Sequence, residues 1–180
     1  MEKIRLIAEI GENFQGNVNL AKVMISEAKK CGADFAKFQS YNENCLKKND
    51  PEYHWFKKVS LSDRSHKSLQ KHSVNKKIHF LSSPFSLERA IFLCEELKMK
   101  KIKVASSKMT DINLLKYINK KCDEVFFSTG LSNLKEIKNS LKYLSNTKVC
   151  IMHCVSEYPL SAKNANLLAI KTLKKKISKL

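Results

Sequence analysis

Apolar positions along this chain follow two alternating rhythms. Short apolar runs, "IRLIAEIG" (residues 4–11) and "DFAKFQS" (34–40) among them, are separated by stretches whose apolar residues fall three and four apart. The first rhythm is that of a buried strand, the second that of an amphipathic helix. After Asn17 the spacing predicts a helix over 18–31, with Leu20, Val23, Met24, Ala28 and Cys31 on its inner face and Gly32 ending it. A polar stretch, 41–62, holds Pro51, Tyr53 and Trp55 and leads to a helix over about 63–75. Further strands are predicted at 77–83, 101–107, 124–130 and 148–156. The helices between them run from just after Pro84 to about Lys98, over 112–120 and over 133–144. The first of these turns Leu87, Ala90, Ile91, Cys94 and Leu97 inward. Asp111 caps the second, and "NLKE" (133–136) has capping-box spacing for the third. A last helix starts near Ala165 and enters the basic tail "KTLKKKISKL".

Six consecutive βα units without a linker imply a parallel sheet wrapped by helices. An open doubly wound sheet gathers its ligand contacts around one switch point, whereas a barrel draws them from every strand at one face. Here every strand ends in a polar group: Glu9, Lys37, Ser82 and Ser83, Lys103 and Ser106, Ser128 and Thr129, His153 and Ser156. That distribution favours an α/β fold of the (β/α)8 TIM-barrel type.

Composition narrows the function. The 180 residues suffice for one domain with a core. No apolar run approaches the roughly 20 residues of a membrane span, and "MEKIRLIAEIG" lacks the form of a signal peptide, so a cytoplasmic location is expected. The net charge of +17 raises nucleic acid as a partner. Yet only Arg5, Arg64 and Arg89 are arginines, and the lysines are spread over every predicted helix, which reads as a solvated surface. The six cysteines have no CxxC spacing, and small buried thiols are the simpler reading of "CIMHC" (150–154) than zinc.

Lys37 stands in an otherwise buried strand, and a buried ammonium requires an anion. The strand ends supply the context. "AEIGENFQGN", "GADFAKFQS", "FLSSPFS", "IKVASS", "FFSTGLSNLKEI" and "MHCVSEYP" follow in order and resemble the N-acetylneuraminate (sialic acid) synthase family, which includes the legionaminic and pseudaminic acid synthases. The resemblance implies a condensation of phosphoenolpyruvate with an N-acylated amino sugar such as N-acetylmannosamine. The products are a nonulosonic acid and phosphate, and a divalent metal (Mn²⁺ or Mg²⁺) takes part. It also implies a barrel followed by an antifreeze-like domain, and a homodimer in complete relatives.

By the same resemblance Lys37 and Lys103 meet the anionic groups of phosphoenolpyruvate, with Ser83, Ser106 and Ser156 as further donors. Glu9, Asn13 and Tyr158 match residues at the sugar end, and Glu9, Lys37 and Lys103 form the implied catalytic set. Each position has a plainer reading. The lysines could pair with local acids, Glu9 could be an ion-pair partner, and the serines could cap helices or form turns. His153 is either a satisfied interior histidine or a site residue, and Trp55 reads first as loop packing. Two rival functions stand beside the synthase: a Schiff-base lyase of the TIM-barrel type using Lys37 or Lys103, and an inactive truncated remnant.

Three departures from the family pattern are visible. Lys108 occupies a position usually acidic, and Phe14 replaces the histidine of N-H-x-G. The segments that would carry the metal-binding histidines lie beyond Leu180. The expectation is therefore a partial barrel of about six units over 1–180, without the antifreeze-like domain, poorly stable alone or assembled with a partner, and weak or inactive in isolation.

Overall fold

The computed structural model describes residues 4–42 and 47–177. Cys45 lies outside them. The chain divides into two compact units, Met1–Lys98 and Met99–Leu180.

In the first unit three parallel strands, β1 (Ile7–Glu9), β2 (Phe35–Ser40) and β3 (His79–Pro84), form a sheet in the order β1-β2-β3. Four helices accompany them: α1 (Val18–Lys30), α2 (Tyr53–Val59), α3 (Asp63–Asn75) and α4 (Leu87–Ile91), the last widening into a π-helical stretch, Phe92–Glu96. Successive strand residues face opposite sides, which divides β2 into two sets. Ala36 and Phe38 enter the core with Ala21 and Ile25 of α1 and Leu69 of α3. Phe35, Lys37 and Gln39 therefore face away from those helices.

The side-chain oxygen of Asn17 accepts from the backbone N–H groups of Asn19 and Leu20 and opens α1. Its buried face matches the predicted one in part: Met24 and Ala28 pack against the core, while Cys31 is exposed. Ala21 and Ile25 are fully buried, whereas Leu20 and Val23 are exposed. Ala21 and Ile25 join Phe38 in the core cluster. The π-helical stretch has a similar consequence. Ala90, Cys94 and Leu97 are buried as predicted, the extra residue per turn brings Phe92 and Leu93 in with Cys94, and Leu87 and Ile91 stay exposed. Helix α2 falls within the stretch read as polar loop.

Arginine appears here as an interior group. Arg89 Nε donates to Ser40 Oγ at 2.9 Å, Nη1 pairs with Asp63 at 2.7 Å, and the guanidinium lies 4.3 Å from the Phe92 ring centroid. His66, fully buried, packs its edge against Phe80 and Phe92 and hydrogen-bonds through Nδ1 to the Ser62 carbonyl.

The second unit repeats the pattern. Strands β4 (Lys101–Val104), β5 (Glu124–Ser128) and β6 (Lys148–Met152) form a parallel sheet in that order, with α5 (Ile112–Lys121), α6 (Leu134–Leu141) and α7 (Ala169–Ile177). Asp111 caps α5, and Asn133 with Glu136 forms a complete capping box on α6, as their spacing predicts. Strand β6 ends at Met152, so Cys154 does not share a strand with Cys150. Helix α7 begins four residues later than expected, after a single 3₁₀ turn at Ala162–Asn164. Among the described residues Cys31, Cys150 and Cys154 are free thiols. Among the described residues no helix is long and apolar enough to cross a membrane.

Candidate active site

The parallel register sets Glu9 of β1 beside Lys37 of β2, and Gln39 beside Ser83 of β3. These side chains share the sheet face opposite the helices. Lys37 is 3% exposed, and its Nζ lies 2.8 Å from Glu9 Oε1, whose side chain is half-exposed. The anion a buried ammonium requires is thus a neighbouring strand's carboxylate. Ser83 is buried, and its Oγ has no hydrogen-bond partner among the described residues. A buried hydroxyl without a partner costs about 1–3 kcal/mol, and such atoms are uncommon away from functional sites. Ser82 Oγ is also without a partner, but alternation turns it to the Phe38 side.

The loop after β1 rests on the end of β2. The N–H groups of Ile10 and Gly11 both donate to the Lys37 carbonyl at 3.0 Å. Gly11 adopts φ +53°, and a Cβ there would lie 3.3 Å from Glu9 Oε1 and 3.8 Å from Gln39 Nε2. Glycine therefore leaves room for the site-face side chains. Asn13 is exposed and donates from Nδ2 to the Ile10 carbonyl at 2.9 Å, which staples the loop. Phe14 is 1% exposed and packs edge-on against Phe38, with ring centroids 6.1 Å apart. The aromatic that departs from the family motif is a core residue here.

In the second unit Lys103 of β4 stands opposite Phe126 of β5, so alternation places Lys103, Phe126 and Ser128 on one face. Lys101 pairs with Glu124 at 3.4 Å lower on that face. Ser128 is buried with an unpartnered Oγ, like Ser83 in the first unit. Three loops then converge beyond the strand ends. Gly130 N donates to Ser106 Oγ at 3.0 Å, and a Cβ on Gly130 would fall 2.8 Å from both Ser106 Oγ and Ser156 Oγ. The loops after β4, β5 and β6 thus bring two hydroxyls over one glycine. Lys108 ends the 3₁₀ turn that Ser106 begins and is half-buried. Tyr158 is 93% exposed.

His153 Nε2 is 2.9 Å from the Ala165 carbonyl, which favours the reading of a satisfied histidine. It lines an open pocket of about 560 Å³ with Thr129, Asn133, Leu168 and Thr172. Thr129 Oγ1 donates to the Met152 carbonyl at 2.9 Å, in keeping with a turn-forming role.

The sequence-predicted residues therefore fall into two groups. Glu9, Lys37 and Ser83 share one sheet face in the first unit, with Asn13 in the adjoining loop. Ser106 and Ser156 meet across Gly130 in the second, which also carries Lys103. Gln39 and Glu12 were not singled out from the sequence. Gln39 lies two residues after Lys37, so strand alternation alone could have placed it on the site face. No local sequence signal marks Gly130 as the meeting point of three loops, because its partners are 24 and 26 residues away in the chain. Among the described residues no group of three or more His, Cys, Asp or Glu side chains is gathered so as to hold a metal ion. The residues present do not make a site for the implied divalent cation.

Comparison with known proteins places these features in a family. A family profile described as NeuB family matches residues 24–179. The chain is 35% identical over 194 residues to the N,N'-diacetyllegionaminic acid synthase of Campylobacter jejuni, covering 97% of this chain and 58% of that protein. It is 32% identical to the N-acetylneuraminate-9-phosphate synthase of Mus musculus, covering 94% and 52%. The crystal structure of an N-acetylneuraminic acid (sialic acid) synthetase from Leptospira borgpetersenii in complex with citrate superposes with a TM-score of 0.92 at 31% identity, over 97% of this chain and 62% of that one. A truncated 3-deoxy-D-arabino-heptulosonate 7-phosphate synthase from Thermotoga maritima shares the α/β fold at 11% identity, with a TM-score of 0.69. The chain spans about half the length of the curated relatives it matches. By its matched residues, its strand-end pattern and its fold, this chain belongs to the NeuB family.

Proposed function

We propose that residues 1–180 form the first six βα units of a (β/α)8-type catalytic barrel, and that they hold the phosphoenolpyruvate side of a nonulosonic acid synthase. The reaction is condensation of phosphoenolpyruvate with an N-acylated amino sugar, releasing phosphate. The observation that carries this reading is Lys37: a 3%-exposed ammonium on the sheet face that also bears Glu9, Gln39 and the unpartnered Ser83 hydroxyl. A small anion with several acceptor oxygens fits that set better than a neutral ligand does.

Each side chain has a defined task in this reading. Lys37 and Lys103 neutralise the phosphate and carboxylate of phosphoenolpyruvate. Ser83, Ser106 and Ser156 donate hydroxyl hydrogen bonds that orient the enol ester. Glu9, Asn13 and Tyr158 belong to the sugar end, Glu9 exchanging its ion pair with Lys37 for the incoming substrate. The side chains bind and orient, so that C3 of the enol ester faces the sugar aldehyde. The divalent cation implied by the resemblance is not routed through any residue described here.

A strand-borne carboxylate paired with Lys37 matches an anion-binding lysine rather than a Schiff-base nucleophile. The test is calorimetric titration of the chain with phosphoenolpyruvate, compared with Lys37→Met. Binding that falls at least about tenfold in the variant, a loss of ~1.4 kcal/mol, is expected. Equal affinity in both proteins, or none in the parent, overturns the reading. Trapping of pyruvate by borohydride would favour the lyase instead.

A further inference from the structure

The loop at residues 10–16 has a second set of contacts besides those to the Lys37 carbonyl. Glu12 Oε1 accepts from Tyr41 Oη at 2.9 Å, and Oε2 accepts from Trp55 Nε1 at 3.4 Å. Tyr41, buried, packs edge-on against Phe56 and Phe85, with centroids 5.4 and 5.9 Å apart. Four residues on, a Cβ on Gly16 would lie 2.6 Å from the Lys58 carbonyl. Helix α2 is therefore held at two points, by a carboxylate at Trp55 and by close backbone approach at Lys58. The same loop donates two N–H groups to the Lys37 carbonyl. One short segment ties α2 to the strand that carries the buried ammonium.

Burial of the aromatics does not account for this arrangement. A carboxylate is a costly way to fix packing, since two neutral partners could do so without desolvating a charge. Trp55 remains 41% exposed, with its indole N–H committed to Glu12 and Lys58 Nζ 5.8 Å from the ring centroid. An exposed indole held by its edge beside a carboxylate suits a polyhydroxylated ligand. The ring offers an apolar face to C–H groups, and the carboxylate has lone pairs left for hydroxyls.

We infer that Glu12 is a positioning residue that fixes α2 against the loop over Lys37, and that the Trp55 indole so held forms the wall met by the sugar substrate. This rests on the reading of Lys37 as the phosphoenolpyruvate site and adds the residues that distinguish the second substrate. It assigns a role to a helix that sequence periodicity did not reveal.

Trp55 is the chain's one tryptophan, so its emission reports this wall alone. The experiment titrates the full chain with phosphoenolpyruvate by calorimetry. It then titrates the phosphoenolpyruvate-loaded chain with N-acetylmannosamine, following both heat and tryptophan emission. The sugar is expected to change the emission, and Glu12→Gln to weaken sugar binding about tenfold while phosphoenolpyruvate affinity stays within about twofold. Trp55→Phe, which keeps apolar bulk and loses the indole N–H, should weaken the sugar in the same way by calorimetry. It is the variant that decides should Glu12→Gln fail to fold. Glu12→Asp should recover part of the loss. Sugar heat without a change in emission, no sugar heat on the loaded chain, or variants with parental sugar affinity overturn the inference and leave the Lys37 reading standing. Absence of phosphoenolpyruvate binding in the parent overturns both.

Discussion

Replacing Gly130 with alanine tests the convergence of loops in the second unit. The added methyl would sit 2.8 Å from Ser106 Oγ and from Ser156 Oγ, and 3.3 Å from Ser106 Cβ. That is roughly 0.6 Å inside ordinary contact with both hydroxyls. Gly130 is not in the left-handed region, so the cost is steric. One serine, or both, must turn away. If Ser106 rotates, its bond from Gly130 N–H is lost and a buried donor is left without a partner, at about 1–3 kcal/mol. Overpacking elsewhere in the cluster costs a similar amount. A net loss of about 2 kcal/mol is expected from urea unfolding followed by circular dichroism. Gly32→Ala is the control. Gly32 has φ +85° with nothing within 4 Å of an added methyl, so that variant meets only backbone strain of about 1–2 kcal/mol. The two differ in ligand binding: Gly130→Ala displaces two proposed phosphoenolpyruvate donors and should lower affinity about tenfold or more, whereas Gly32→Ala should leave it unchanged. Full stability and full affinity in Gly130→Ala would refute the geometry and the roles of Ser106 and Ser156 together.

Two further outcomes follow from the interior of the first unit. Burial holds the His66 imidazole at about 4 rather than 6.5, helped by the nearby Arg89 charge and opposed by its bond to the Ser62 carbonyl. The unfolded chain takes up this proton between those values and the folded chain does not. The resulting stability, roughly 3 kcal/mol, is complete above about pH 6.5, falls as pH drops toward 4, and levels off below. Urea midpoints of the parent against His66→Phe across that range check it, and a constant difference would refute it. Phe14→Ala removes a 1%-exposed ring from the contact with Phe38 and should cost about 3–5 kcal/mol by chemical denaturation; a loss under about 1 kcal/mol would show that the ring is not core.

Strand existence and helix caps were readable because their signals are local. "DFAKFQS" is apolar over consecutive positions, as a strand covered on both faces must be. Asn17, Asp111 and Asn133 lie where a side-chain oxygen can reach the next free N–H groups. The facing of α1 was read only in part: Met24 and Ala28 turn to the core, but the centre of the buried face falls on Ala21 and Ile25, which tertiary packing and not helical spacing decides. The phase of residues 87–97 was read in part: Ala90, Cys94 and Leu97 are buried as predicted, and the π-helical stretch, which changes the period that a helical reading assumes, adds Phe92 and Leu93. Helix α2 escaped notice because it lacks an apolar stripe, with Val59 its one buried residue and its anchors, Glu12 and Gly16, distant in the chain. For the site, the residue types were legible and the contacts were not. Lys37 announced itself by its buried setting, but only parallel register shows that Glu9 is its neighbour.

That pairing bears on how the proposed site would work. Lys37 is nearly enclosed and Glu9 is half-exposed, so the pair is neutral at its base and solvated at its outer end. An ion pair with one partner in water is modest in strength, because the exposed carboxylate gives up little hydration to make it. A ligand bearing a phosphate and a carboxylate brings more negative charge and additional acceptors for the Ser83 hydroxyl. It can therefore displace Glu9 from the ammonium without leaving either group uncompensated: Lys37 gains a stronger partner, and Glu9 needs only to turn outward into water. The freed carboxylate then lies beside Gly11 in the loop at residues 10–16. On this reading the resting ion pair keeps the buried ammonium satisfied before substrate arrives, and its opening couples occupation of the anion site to the release of a group for the sugar. The second substrate would accordingly bind more tightly after phosphoenolpyruvate than before it.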